Sequence, residues 1–194
     1  MAQEHEREFW LRRLEATGRA QARYLWLVLL AGLFYAALYA RSPSGQMIKV
    51  PVVDFELDTL TVLASGGPII AFLVLVVMGA IRAWTHALEQ IRGRPARDAE
   101  QLDTYPNAID LAVYTTEHSP RLIRELTYFA YPLFLTAALI ESTSLARWVW
   151  RTQSVPGRGW FISFQLLTWL PAALLVIGMW IRRFKQIGTR GSAA

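Results

Sequence analysis

The sequence predicts an all-α membrane protein with four transmembrane helices, both termini in the cytoplasm, and a small extracytoplasmic β hairpin between spans one and two. Three observations lead there. Of 194 residues, 54% are hydrophobic and only 18% charged, with a mean hydropathy of +0.26, which is too apolar for a soluble domain of this size. Four long apolar stretches are separated by breaker clusters. The basic residues are distributed unevenly among the polar segments that join them.

The apolar stretches are counted most securely from Pro68 to Trp84, PIIAFLVLVVMGAIRAW, which runs directly into the charged stretch THALEQIRGRP. Ahead of it, residues 1–23 lack proline and set Glu4, Glu8 and Arg12 at helical spacing, with Trp10 and Leu14 on one side. That pattern predicts an amphipathic cytosolic helix. It continues without a breaker into span one, residues 24–40, at the short end of what crosses a bilayer core of ~30 Å. The first residues are mixed in charge and no small-residue cleavage site follows the apolar run, so the run is expected to stay as an anchor.

Arg41 to Gly45, RSPSG, breaks the helix, and the period then changes. Val53, Phe55 and Leu57 alternate with Asp54, Glu56 and Asp58, the two-residue repeat of a half-buried strand, while Pro51 confines it to an edge or a bend. The acidic triplet lacks the glycine and the twelve-residue spacing of a calcium loop, so a solvated strand face is the better reading. Ser65-Gly66-Gly67-Pro68 reads as a turn with proline at the first helical position, which starts span two at residues 68–84. Its helix should continue to Ile91, where Gly93-Arg94-Pro95 stops it.

Residues 92–121 form the longest polar segment, with a short surface helix expected over Asn107–Thr116. Ser119-Pro120 supplies a cap and a first-turn proline for the third helix, whose membrane part is 126–146 with Pro132 inside it. The fourth span is 160–181 with Pro171 near its middle. These spans make up a membrane domain over residues 24–184, leaving 185–194 as a short cytosolic tail. Two mid-span prolines leave carbonyls that other groups must satisfy.

Fifteen of the 20 Lys and Arg residues lie in the N-terminal segment, the 92–121 loop with its adjoining helix ends, and the tail, against five in the other two loops. The positive-inside tendency therefore puts both termini and the 92–121 loop in the cytoplasm, and the strand element and the 147–159 loop outside. Trp26, Tyr39, Trp84, Tyr128, Trp148, Trp150, Trp160 and Trp180 all fall near span ends, where amphipathic rings settle.

Candidate functional residues are few. Glu141 is the one acidic residue inside an apparent span, at a cost of at least ~2.5 kcal/mol on insertion scales. Two readings stand: a proton or cation site lined by Ser142, Thr143 and Ser144, or an interfacial carboxylate paired with Arg147 or Arg151, which is the commoner arrangement. Tyr35, Gln165 and Thr168 could line a polar seam with Glu141, or act as interhelical glue. Trp10, Leu14, His86, Glu89 and Arg92 form a candidate surface for a cytosolic protein partner.

Several chemistries are disfavoured. Cysteine is absent, which closes disulfides, thiolate metal sites and cysteine nucleophiles. His5, His86 and His118 lack metal-ligand spacing, and no P-loop, GxSxG or dinucleotide fingerprint occurs, so neither a metal nor a cofactor nor an enzymatic activity is expected. Basic residues here report on topology, and no nucleic-acid partner is expected.

The order of LFYAALYA, IKVPVVDFELDTL, GGPIIAFLVLVVMGAIRAWTHAL and LLTWLPAALLVIGMWIRRF resembles an uncharacterised bacterial four-helix membrane module sometimes found ahead of pentapeptide repeats. The likeness spans Tyr24 to Phe184 and rests on Pro51, Pro68 and Pro171 in their apolar context. It implies the bacterial inner membrane. No pentapeptide array follows Phe184 in this sequence, so a role tied to that array is not implied.

Two functional expectations follow. One is a membrane sensor or anchor, homo-oligomeric, that engages a cytosolic partner through residues 1–23 and 85–121. The other is a subunit of an oligomeric channel or transporter with Glu141 near the pathway, and a membrane enzyme ranks third. Because the chain has no cysteine, single-cysteine variants report the topology directly. Ala16→Cys should stay shielded from a membrane-impermeant maleimide in intact cells while Ser154→Cys is labelled, and the opposite pattern would reverse the orientation.

Overall fold

The computed structural model describes residues 2–41, 47–50, 55–92, 121–152 and 154–191. Four helices carry the fold: α1 (Ala2–Ala40), α2 (Thr59–Arg92), α3 (Arg121–Arg151) and α4 (Arg158–Gly191). Each contains a stretch long and apolar enough to cross a membrane, at Glu8–Ala40, Thr59–Ala87, Phe129–Arg151 and Arg158–Arg182. Four such helices fit a multi-pass membrane protein, since a helix satisfies its backbone donors and acceptors internally where no water is available.

α1 is unbroken over 39 residues. At a rise of about 1.5 Å per residue it is about 58 Å long, well beyond a hydrocarbon core of ~30 Å. Its buried positions are Leu14, Gly18, Gln21, Val28, Gly32 and Tyr35, at spacings of three, four and seven. Such spacing keeps one narrow stripe on a single side of a long helix. Toward its C-terminal part Trp26, Leu30, Leu33 and Phe34 are exposed, as expected of a face in contact with lipid.

α2 departs from the sequence expectation. Span two was expected to start at Pro68, after a turn through Ser65-Gly66-Gly67, yet α2 begins at Thr59 and carries all four residues in its interior. The cause is an N-cap farther upstream. Asp58 Oδ2 accepts from the Thr61 backbone N–H at 3.3 Å and faces the Thr61 hydroxyl at 3.4 Å, which satisfies a donor that a helix start would leave bare. Pro68 therefore sits where it removes one helical hydrogen bond, a cost that the sequence reading had avoided.

α4 carries 185–191 as helix, so the membrane helix and most of the tail are one element. Pro132 and Pro171 lie inside α3 and α4 as expected. The expectations at Ser42 to Gly45, Pro51, Val53, Asp54, Gly93-Arg94-Pro95, Asn107–Thr116, His118 and Ser119-Pro120 lie outside the described residues.

The chain separates into two compact units: Met1–Trp26 with Val76–Leu133, and Leu27–Leu75 with Phe134–Ala194. In the first, Leu14 and Ala87 are fully buried with Trp10, Leu11 and Trp84 around them. Gln21 is also fully buried and donates from Nε2 to the Ala80 carbonyl at 3.3 Å. On the outer face of α1, Arg12 pairs with Glu8 at 2.6 Å and Arg19 with Glu15. These exposed i,i+4 pairs contribute only ~0.3–0.5 kcal/mol each.

In the second unit, the link from α3 to α4 is tight. Thr152 N–H reaches the Trp148 carbonyl at 3.0 Å, and Gly157, at φ 66°, accepts from Trp160 N–H at 2.9 Å. That left-handed conformation suits glycine, which has no Cβ to clash. The link brings Val155 into a buried cluster with Ala64 and Val149, flanked by Trp148, Phe161 and Ile162. More than half of the apolar window of α2 is buried (56%), against 17% for α1 and 22% for α4, so α2 is the most enclosed helix.

Candidate functional site

The second unit contains a run of polar contacts centred on Ser65, Gly66 and Gly67 of α2. Ser65 Oγ has a single hydrogen, which it donates to the Val62 carbonyl at 2.7 Å. The Tyr35 hydroxyl of α1, 3.2 Å from Ser65 Oγ, must therefore be the donor in that contact. From α3, Ser142 Oγ donates to the Gly67 carbonyl at 2.8 Å, and it accepts from Gln165 Nε2 of α4 at 2.7 Å. Ser142 and Gln165 are both buried, and the chain from Gln165 through Ser142 to Gly67 ties three helices together.

The glycines make this closeness possible. A Cβ on Gly66 would stand 2.6 Å from Cδ1 of the Tyr35 ring. On Gly67 it would stand 2.6 Å from Gln165 Oε1 and 3.1 Å from the Ser142 carbonyl oxygen. At Gly66 the Tyr35 ring would have to move, and at Gly67 the Gln165 amide would have to swing aside and the Ser142 backbone give by a few tenths of an ångström. At Gly32 of α1 a Cβ would lie 2.7 Å from Glu141 Oε2, the end of a flexible side chain that rests over the glycine.

Glu141 therefore lies over Gly32, and it forms no ion pair with Arg147 or Arg151. Its Oε1 is buried with no hydrogen-bond partner. The expected pairing with Arg147 or Arg151 is not what the structure contains. The other half of that expectation, a cation site lined by Ser142, Thr143 and Ser144, is also dispersed. Ser142 is committed to Gly67 and Gln165, while Thr143 and Ser144 are exposed and return their hydroxyls to Leu139 and Ile140 of their own helix at 2.7 and 2.9 Å. Thr168 is buried but likewise bonds within α4, to the Phe164 and Gln165 carbonyls.

Of the residues proposed for a polar seam, the structure thus brings Ser142 and Gln165 into direct contact. Tyr35 engages the same segment of α2 one residue away, and Glu141 contacts α1. Thr143 and Thr168 stand apart. Sequence reasoning missed Ser65, Gly66 and Gly67 as members, because it read them as a turn that starts a helix. The signal was there: Thr59 to Ala64 is apolar enough to be helix, and a Gly-Gly pair between two apolar runs fits close helix approach as well as a turn.

The candidate partner surface lies in the first unit. Leu14 is fully buried against Ala87, so it belongs to that unit's own core. Trp10 is half-buried, edge-on to His86 at 5.7 Å, with the Arg13 guanidinium 5.5 Å from its ring centre. His86 is exposed, and the side chains of Glu89 and Arg92 are outside the described ones. Among the described residues, no cluster of three His, Cys, Asp or Glu side chains is placed to hold a metal ion.

Interhelical hydrogen bonds in membranes average only ~0.6 kcal/mol, so the glycine contacts should matter as much as the bonds. Gly67→Ala should lower unfolding stability in mild detergent by ~1–3 kcal/mol, as overpacking does. Gly79→Ala, whose Cβ would meet nothing within 4 Å, should be neutral or stabilising by up to ~1 kcal/mol. Equal effects of the two variants would remove the close-approach account. Comparison with protein-family models, with curated proteins and with solved structures found no match.

Proposed function

We propose that the protein is a membrane anchor or sensor that couples the bilayer to a cytosolic protein partner, without catalysis of its own. The observation that carries this reading is the first unit. There, Leu14 of α1 and Ala87 of α2 are sealed together, with Trp10 and His86 in edge contact at 5.7 Å. Both helices continue unbroken from this packed end into their apolar stretches. A shift of the apolar parts is then transmitted along stiff helices rather than lost in a linker.

The proposed setting is the bacterial inner membrane, with both termini cytoplasmic, and kinship with the four-helix module named above is part of the proposal. The extracytoplasmic hairpin belongs to it as well. It is supported by the antiparallel register of Met47–Val50 against Phe55–Asp58, with Met47 opposite Asp58 and Val50 opposite Phe55. Homo-oligomerisation is supported by the wide exposed apolar faces of α1 and α4, which leave room for a second chain as well as lipid.

Deleting residues 2–20 removes one side of the packed pair. The shortened protein should remain membrane-integrated while the co-purifying cytosolic partner is lost, and a partner retained at the full-length level would overturn the reading.

A second reading, a subunit of an oligomeric channel or transporter, is favoured by one observation: the unpartnered buried Oε1 of Glu141 inside a membrane-crossing stretch. On that reading Glu141→Gln changes ion flux in proteoliposomes by about tenfold or more, as loss of an ionisable pathway group would. Flux indistinguishable from that of the native protein sets it aside.

A further inference from the structure

α2 carries Pro68 in its interior, and proline has no N–H. The carbonyl of Ala64, one turn earlier, therefore lacks the donor that the helix would otherwise give it. Ala64 is 1% exposed, so bulk water does not reach it. Gln165 of α4 is 5% exposed; its Nε2 is used by Ser142, and its Oε1 is buried without a partner. Gln165 Oε1 is thus a buried acceptor without a partner, and the Ala64 carbonyl of the same unit is one that Pro68 denies its helical donor.

Both residues line one small cavity, together with Pro68, Ala146, Val149 and Phe161. It offers about 10 Å³ to the centre of a water molecule, at the lower edge of the ~10–15 Å³ that one water needs. Apart from Gln165 its side-chain lining is apolar. Such a site selects its occupant by hydrogen count. Two acceptors call for a small neutral molecule with two donor hydrogens; a carbonyl or ether supplies none, and an ammonium would be charged against apolar walls.

We infer that the second unit binds a single structural water in this cavity, donating one hydrogen to the Ala64 carbonyl and the other to Gln165 Oε1. The water completes the helix bond that Pro68 deletes and extends the Gln165–Ser142–Gly67 chain back to α2. A proline that weakens α2 is in this way joined to α4 at the same level.

The test is a structure of the full chain, crystallised from a lipidic mesophase at a resolution that shows ordered water. A single peak within hydrogen-bond distance of both oxygens is the expected result. A cavity without a peak, or a peak bonded to only one of the two atoms, overturns the inference. In solution, a double-mutant cycle of Pro68→Ala and Gln165→Leu reads the same link. Pro68→Ala returns a backbone donor to Ala64, and the loss of the Ser142 bond is common to both backgrounds and cancels. Coupling of at least about twofold in the unfolding equilibrium is expected, and strict additivity is by itself sufficient to overturn the inference.

Discussion

The close approach of backbones at Gly66 and Gly67 is the constraint on which the second unit depends. Between helices in lipid there is no hydrophobic driving force, because the alternative to a neighbouring helix is an equally apolar acyl chain. What remains is contact area and a few hydrogen bonds, and both need short distances. With hydrogen at those two positions, the Tyr35 ring and the Gln165 amide come within reach of the α2 backbone, and Ser142 reaches the Gly67 carbonyl at 2.8 Å. The approach of Tyr35 and of Gln165 to α2 thus relies on the absence of side chains at these two positions.

The same segment explains why α2 tolerates a weakness. Gly66, Gly67 and Pro68 in succession are poor helix formers, and an exposed helix would break there. α2 does not, because it is capped upstream by Asp58 and because its surroundings hold it: Leu63, Ile70 and Ala71 on either side are completely buried. Tertiary packing overrides local propensity where burial is greatest, and α2 is the most enclosed of the four helices.

α1 obeys a different rule. Its stripe from Leu14 to Tyr35 holds one side of the helix inward over more than five turns, and the stripe changes composition along the way. Leu14 and Gln21 serve the first unit, where Gln21 spends one amide hydrogen on the Ala80 carbonyl. Gly32 and Tyr35 serve the second, where one gives space to Glu141 and the other a hydroxyl to Ser65. α1 thus contributes residues to each of the two units, with a different kind of contact in each.

The sequence by itself determined the class of the fold: four helices of membrane-crossing length, the unbroken join of residues 1–23 to span one, and the placement of Pro132 and Pro171 inside helices. These follow from apolar run length and the lack of breakers, which are local properties. It also pointed to Ser142, Gln165 and Tyr35 as polar residues in apolar surroundings. It could not rank Ser142 above Thr143, since adjacent residues on a helix point about 100° apart and only the positions of the neighbouring helices decide which one is inside. It misread Ser65-Gly66-Gly67-Pro68 as a turn, because the chemistry that makes glycine suit a turn also makes it suit a crowded helix crossing. Whether Glu141 would meet Arg147 or Gly32 was likewise a matter of which helix packs against α3. Pattern along one chain sets which segments enter the membrane; distances between segments set what their polar groups do there.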